Sequence, residues 1–248
     1  MRIDIITASY NRPSVVRAIQ SVQDQRAHVR QIVVDGASAK AIVRDTRIRL
    51  RDSDILISEP DHGVYDALNK GLTVSDADVV GLLHSDDVFA DSAVIGSVRA
   101  LFEQTGADVV YGDLSYVTDR GVTVRTWRPG PFHPYQLSLG WMPPHPTVFL
   151  RRHVIDRAGL YDPTFRIAGD YEYMLRVFGL PGLDAAYLPR TITLMRTGGI
   201  SNGSLLNVIC KSMEDIRAMR RHDIPPGIAL PMKNLRKLPQ FVLSALSR

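Results

Sequence analysis

The order of apolar segments at the start of the chain leaves few folds open. "RIDIIT" (2–7), "QIVVD" (31–35), "DILIS" (54–58) and "DVVGLL" (78–83) are short strand candidates, the last three ending in or running into polar residues. Two of the gaps between them carry helical spacing. Asn11 and Pro13 open a segment with Val15, Ile19 and Val22 on one face, and "GVYDALNKGL" (63–72) puts Val64, Leu68 and Gly71 or Leu72 on one side. A βαβα order predicts a mostly parallel sheet with helices on both faces, and such sheets bind ligands beyond the carboxyl ends of their strands. Thr7 to Asn11, Asp35, Glu59 to His62 and His84 to Asp87 all follow strand candidates, so this fold gathers them along one rim.

After residue 107 the pattern becomes mixed α+β. "DVVYGDLSYV", a turn at "TDRG" and "VTVRTW" predict a hairpin, and "PTVFLRR" (146–152) a strand or strand-to-helix junction. "GDYEYMLRVFG" (169–179) predicts a short helix and Leu205 to Arg221 a longer amphipathic one. The Pro-rich patches between 128 and 146 punctuate one domain, because strand candidates on both sides must complete one sheet. The expected organisation is an α/β domain over 1–204 and a basic helical extension over 205–248.

Composition narrows the function. The chain has 248 residues, 45% of them hydrophobic, a net charge of +4 and a single cysteine, Cys210. One cysteine excludes an intrachain disulfide and any Cys-cluster zinc site. No segment approaches the roughly 20 apolar residues that span a bilayer, and "MRIDIITASYNRPS" starts a strand where a signal peptide would continue apolar. A cytoplasmic protein is expected. The cations crowd the carboxyl-terminal tail (Lys211, Arg217, Arg220, Arg221, Lys233, Arg236, Lys237, Arg248), whereas the site-like stretches are acidic. Acidic loops would repel phosphate backbones, so nucleic acid is not an expected partner.

The stretch "GLLHSDDVF" (81–89) raises the chemical question. Two adjacent carboxylates at the end of a buried strand repel each other and are costly to desolvate, so they call for a cation or strong donors; a helix cap or a solvated loop is the alternative. "TASYNR", "VVDGAS", "SEPDHGVYDALNKG", "GLLHSDD", "HPTVFLRR" and "GDYEYMLR", in this order over roughly residues 1–200, resemble the landmarks of family 2 glycosyltransferases with the GT-A fold, in particular those that build bacterial polysaccharides or glycolipids.

The resemblance implies an inverting enzyme that takes a nucleoside-diphosphate sugar as donor and a hydroxyl of a glycan or lipid-linked acceptor. It implies Asp87 as ligand of Mn²⁺ or Mg²⁺, and Ser85 and Asp86 on the nucleotide side, Asp86 at the ribose. Thr7, Ala8, Ser9 and Tyr10 match the nucleotide-contacting first loop, and Asp35 the acid that receives the base, although "DGAS" is also a turn sequence in its own right. Glu59 and Asp61 are further nucleotide-side candidates. Asn69 matches a family asparagine, while the Arg usual before it is Leu68. His84 stands where relatives carry Asp, Asn or Gly. Asp170 matches the family's general base, with helix N-capping as its structural alternative and Glu172 as the reserve carboxylate. Trp141 and His145 match acceptor or diphosphate contacts, Trp141 having packing as its alternative. "RTGGIS" resembles a loop that closes over the donor, which would bring Arg196 and Ser201 to the diphosphate. The basic tail suits peripheral contact with anionic lipid at the inner membrane face, or a solvated helix surface. Two other classes share such an α/β half. A sugar nucleotidyltransferase would carry a Gly-rich basic loop where "TASYNRPS" stands, and a non-catalytic nucleotide- or glycan-binding module would have no need of Asp87 and Asp170.

Overall fold

A computed structural model describes residues 1–196 and 205–236. The first half follows the expected alternation. Strand β1 (Ile3–Ser9) is buried along its whole length, with Ile3 and Ile5 packed on one face of the sheet and Ile6 and Ala8 on the other. That pattern identifies a strand covered on both sides. Helix α1 (Val15–Gln23) buries Val15, Ala18, Ile19 and Val22. Strand β2 (Arg30–Asp35), helix α2 (Lys40–Arg49), strand β3 (Ile55–Ser58), helix α3 (Val64–Val74) and strand β4 (Val79–Leu82) follow.

Strand β5 (Val88–Phe89) and helix α4 (Val94–Thr105) lead to the hairpin of β6 (Val109–Val117) and β7 (Thr123–Trp127). Strand β8 (Phe149–Arg151) runs directly into α5 (Arg152–Ala158), the expected junction. Helix α6 (Gly169–Phe178), strand β9 (Ala185–Arg196) and helices α7 (Leu205–Arg221) and α8 (Pro226–Leu235) complete the described chain.

The sheet order is β3-β2-β1-β4-β8-β6-β9-β5, with β7 beside the far end of β6. The half formed by β3, β2, β1 and β4 is entirely parallel. Beyond β4 the sheet is mixed: β8 is antiparallel to β4 and β6, β9 is parallel to β6, and β5 is antiparallel to β9. Gly81 lets the Phe149 ring cross β4, since a Cβ there would lie 2.5 Å from that ring.

Helices α3, α5 and α6 supply one core layer and α4 the other, which α1 shares. The carboxyl-terminal helices contribute to the first of these, through Ala218 and Met219 of α7 and Ala229 of α8. Not all of the tail's cations lie on a solvated face. Lys233 is 6% exposed and pairs with Asp215 at 2.7 Å, which removes it from any lipid-facing surface. Lys237 and Arg248 lie outside the described residues. Among the described residues no helix is long and apolar enough to cross a membrane.

Candidate active site

Parallel pairing fixes the rim. Ser9 lies opposite Asp35 and Asp35 opposite Ser58, while Ile6 lies opposite Leu82, so the residues after β1, β2, β3 and β4 emerge on one side. Asn11 has a positive φ of 48° and ties two of these loops together: its N–H donates to Ser38 Oγ at 2.7 Å and its Oδ1 accepts the Ala39 N–H at 2.9 Å. Asp35 is buried, its Oδ2 accepting the Ser38 N–H at 3.0 Å and the Ser58 hydroxyl at 2.8 Å. Both the turn and the rim position expected of it are present.

In the first loop, Tyr10 is 62% exposed and Ser9 is buried with an unpartnered Oγ. Thr7 departs from expectation. It is fully buried and its Oγ1 accepts a bond from Gln31 Nε2 at 2.8 Å, so its side chain is committed inside the molecule. Ala8 likewise belongs to the core. Glu59 is exposed and pairs with Lys70 at 2.9 Å. Asp61 lies against Gly36, where a Cβ would come within 2.4 Å of its carboxylate. Asn69 exchanges two 2.8 Å hydrogen bonds with the backbone of Tyr161 and thereby fixes α3 to the segment before α6.

Residues 84 to 89 alternate between partly exposed and buried, and a turn closed by the Asp87 N–H on the His84 carbonyl at 3.0 Å leaves Asp86 partly open and Asp87 inside. Asp86 is partly exposed, accepts the Ser14 hydroxyl and has Arg12 at 4.0 Å. Asp87 is 3% exposed, and its Oδ2 has no hydrogen-bond partner. Burial, reinforced by the Asp86 charge, pushes its carboxyl up to about 8. A buried carboxylate oxygen left without donor or cation fits a divalent ion that takes its remaining ligands from a diphosphate. Such ions are often held by one or two carboxylates plus substrate oxygens. In keeping with this, among the described residues no three His, Cys, Asp or Glu side chains form a cage of their own.

Asp170 lies within electrostatic reach of the same motif. Its charge acts on His84, His145, Tyr116 and Lys211, and the Asp87 charge also acts on Tyr116. Helix α6 opens at Gly169 with Ala168 in the cap position, so Asp170 is its second residue and the capping alternative does not hold. The Asp170 carboxylate accepts the Tyr171 N–H at 2.8 Å. Burial works to raise its pKa, but the charges of Lys211 and Lys233 and the Tyr171 N–H hold it below the ordinary carboxylate range. Lys211, on α7, is held protonated by Asp170 and Asp215 against the effect of burial. Lys233 goes the other way: burial and the neighbouring Lys211 bring it down to about 7 despite its pairing with Asp215.

Several other expectations meet different surroundings. Glu172 is fully buried, takes two bonds from Arg176 at 2.9 and 3.1 Å and has His222 at 3.4 Å. It is an interior ion-pair partner, and the reserve base is withdrawn. Trp141 is 2% exposed, packs on Tyr111, Phe132 and Phe178, and donates Nε1–H to the Pro129 carbonyl at 3.0 Å. Its packing alternative holds, and no open aromatic face is left for a sugar. His145 is buried with Nε2 2.7 Å from the Tyr161 hydroxyl, and burial brings it down to about 4. Its ring centroid is 5.9 Å from that of His84, which keeps it beside the acidic motif as a neutral neighbour.

Arg196 ends β9. Val88 pairs with Leu194, so Asp86 and Arg196 each lie two residues beyond that pair on antiparallel strands. Its guanidinium lies 3.4 Å from Asp119. Ser201 lies outside the described residues. Lys211, Tyr116 and Tyr65 were missed at the sequence level. The only available signal was the i,i+4 pairing of Lys211 with Asp215 on an amphipathic helix, which does not distinguish a site residue from a surface ion pair.

A mixed α/β sheet, parallel in its first half, with a buried acidic motif after the fourth strand and a second carboxylate, Asp170, acting on the same surroundings, has the architecture of a GT-A glycosyltransferase. The family model described as "Glycosyl transferase family 2" matches residues 4–157, and the chain belongs to that family. A glycosyltransferase of Mycobacterium tuberculosis (strain CDC 1551), described as uncharacterized, is 32% identical over 180 residues, 70% of this chain and 68% of its own length. A "PGL/p-HBAD biosynthesis glycosyltransferase" of Mycobacterium bovis (strain BCG / Pasteur 1173P2) is 28% identical over 176 residues, 69% of this chain and 67% of its own. Among solved structures, residues 1–349 of TarS from S. aureus align with a TM-score of 0.67 at 16% identity, covering 100% of this chain and 72% of that one. The mannosyltransferase PcManGT from Pyrobaculum calidifontis, solved with GDP-Man and Mn²⁺, aligns at 0.65 and 17% identity, covering 99% and 74%. At these identities the structural likeness speaks for the fold alone.

Proposed function

We propose that the protein is an inverting, metal-assisted glycosyltransferase that moves a sugar from a nucleoside-diphosphate donor to a hydroxyl of a lipid-linked or glycan acceptor. The observation that carries this reading is the buried Asp87 carboxylate, with its unpartnered Oδ2, near an ionised Asp170 whose charge reaches the same Tyr116. The donor class is that of the ligands solved with the structural neighbours, UDP-GlcNAc with TarS and GDP-Man with PcManGT. A glycolipid acceptor is suggested by the relative named for PGL/p-HBAD biosynthesis, and work on such an acceptor would place the protein on the cytoplasmic side of a membrane.

In this reading Asp35, Ser9, Tyr10, Ser85 and Asp86 receive the nucleoside, and Asp87 holds Mn²⁺ or Mg²⁺. The cation, when bound, neutralises charge on the departing diphosphate. The acceptor oxygen attacks the anomeric carbon from the face opposite the diphosphate, its proton passes to Asp170, and the electron pair of the breaking C–O bond leaves with the nucleoside diphosphate. One displacement inverts the anomeric centre. Asp170 suits the base role because nearby cations keep it unprotonated at neutral pH. His145, neutral and bonded to Tyr161, shapes the wall beside it.

The test is a thermal-shift and calorimetric screen of UDP and GDP with and without Mn²⁺ on the wild type and Asp87→Asn. Ligands stabilise the state they bind, by about 2.7 kcal/mol at a hundredfold excess over Kd. Mn²⁺ should strengthen nucleotide binding to the wild type only. Asp87→Asn should melt no lower than wild type without ligand, because it removes an uncompensated buried carboxylate. Equal Mn²⁺ enhancement in both proteins would remove Asp87 from the metal site.

A further inference from the structure

Helix α6 begins without a capping side chain of its own. The N–H groups just before it are nevertheless satisfied, and from a distant part of the chain. Glu214, on α7, accepts the Arg166 N–H through Oε1 at 2.9 Å, and the Ile167 and Ala168 N–H groups through Oε2 at 2.9 and 2.7 Å. One carboxylate thus fills a nest of three successive backbone donors at the positive end of a helix, an arrangement that favours an anion.

The same helix grips this segment again at i+3 and i+7. Arg217 donates to Thr164 Oγ1 at 2.8 Å and lies over the Phe165 ring at 4.5 Å, and Arg221 bonds Asp162 at 2.6 Å. On the other side Tyr65, on α3, donates its hydroxyl to the Ile167 carbonyl at 2.9 Å and accepts the Asp170 N–H at 3.1 Å. Gly169 permits this, because a Cβ there would lie 2.7 Å from the Tyr65 ring. Asp170 therefore stands on a turn clamped between α3 and α7. Every contact on the α7 side comes from beyond residue 157, where the family match ends.

We infer that Glu214 is a positioning residue for Asp170, so that α7 is a working part of the catalytic centre. This rests on Asp170 being the base, as proposed above. Without the Glu214 carboxylate, three N–H groups lose their acceptor and the turn can shift, and a displacement of about 1 Å at a reacting group can cost roughly a hundredfold in rate. The donor subsite on β1, β2 and β4 shares no hydrogen bond with Glu214, so nucleotide binding should not respond.

The experiment compares wild type, Glu214→Ala and Glu214→Gln in three measurements: UDP and GDP binding with Mn²⁺, steady-state transfer, and amide hydrogen exchange of the peptide covering 164–172. For Glu214→Ala the expected result is faster exchange at 166–168, a kcat about a hundredfold lower, and nucleotide Kd and donor KM within about twofold of wild type. Gln keeps an acceptor oxygen and should restore part of both kcat and protection. Should the Ala variant fail to fold, Glu214→Gln decides, with about tenfold lower kcat and measurably faster exchange expected. Wild-type exchange at 166–168 in the Gln variant, or lost protection with undiminished kcat in either variant, overturns the inference. A wild type that neither binds nucleotide nor transfers sugar would instead overturn the glycosyltransferase mechanism, and the exchange measurement would still report whether Glu214 holds the turn.

Discussion

The two carboxylates of the candidate site are treated in opposite ways. At the end of β4, Asp87 is buried without a donor or a cation at its Oδ2, and its proton is held up to about pH 8. At the start of α6, Asp170 is also enclosed, yet Lys211, Lys233 and the Tyr171 N–H keep it ionised. Among the described residues the first carboxylate has no compensating charge, whereas the second is compensated from within, largely by helices that follow the matched family segment. In the proposed metal-assisted transfer this division would serve both sides: the cation and diphosphate would complete the donor side together, and the base would already be deprotonated when the acceptor comes.

The largest expected effect tests the second region. Asp170→Asn keeps an acceptor for the Tyr171 N–H but cannot take up the acceptor's proton. Turnover should fall by about a hundred- to ten-thousandfold, with melting temperature and Mn²⁺-dependent nucleotide binding close to wild type. Because Asp170 is not the cap of α6 and Asp215 still compensates Lys211, little stability is at stake. Single-turnover transfer assays beside a melting curve check this, and a fully active variant would end the comparison by making Asp170 architectural.

Next in size is a change two residues along the same helix. Glu172 is an interior ion pair with Arg176, with His222 and Arg221 nearby. Removing one member of a buried pair leaves the other uncompensated, so Glu172→Ala should cost about 3–5 kcal/mol of stability. Transfer by the fraction that remains folded should stay within a few fold of wild type. Urea unfolding read together with activity separates the two carboxylates. A stable but inactive Glu172→Ala would reverse their roles.

How far the sequence carried this division can be seen residue by residue. The parallel half was legible because β1, β2 and β4 are buried apolar runs and the helices α1 and α3 carry clear stripes. Helix α2 was not, since Thr46 is its one buried residue and it has no apolar face to read. Strand β9 was also missed. The adjacent Ile192 and Thr193 are both buried, and its register against β6 shifts twice, so no simple alternation survives. At the site, Asp35, Asp86 and Asp87 could be placed because a strand end fixes where its next residues emerge. The surroundings of Asp170 could not, because Lys211, Glu214 and Tyr65 reach it through tertiary packing that no local spacing encodes. Trp141 and Glu172 were misjudged for the same reason: exposure is decided by what packs on a residue, and here those partners come from distant elements.

The smallest effect is a pH dependence at the wall between the two regions. His145 has a pKa near 6.5 when unfolded and is brought to about 4 by burial in the fold. Between these values the unfolded chain binds a proton that the native state refuses, so stability falls as pH falls from 6.5 toward 4 and changes no further from this group below that. A shift of this size corresponds to about 3–4 kcal/mol. Asp87 contributes in the opposite sense across this range, because its native pKa is raised to about 8. Total stability would therefore mix the two, and the informative quantity is the difference between wild type and His145→Gln. Gln can still bond the Tyr161 hydroxyl but cannot titrate. The wild type's advantage, measured by urea unfolding at steps from pH 7 to pH 4, should shrink by about that amount and level off near pH 4. A constant difference across the series would mean that the imidazole meets water in the native state, and the dry wall between the acidic motif and Asp170 would have to be abandoned.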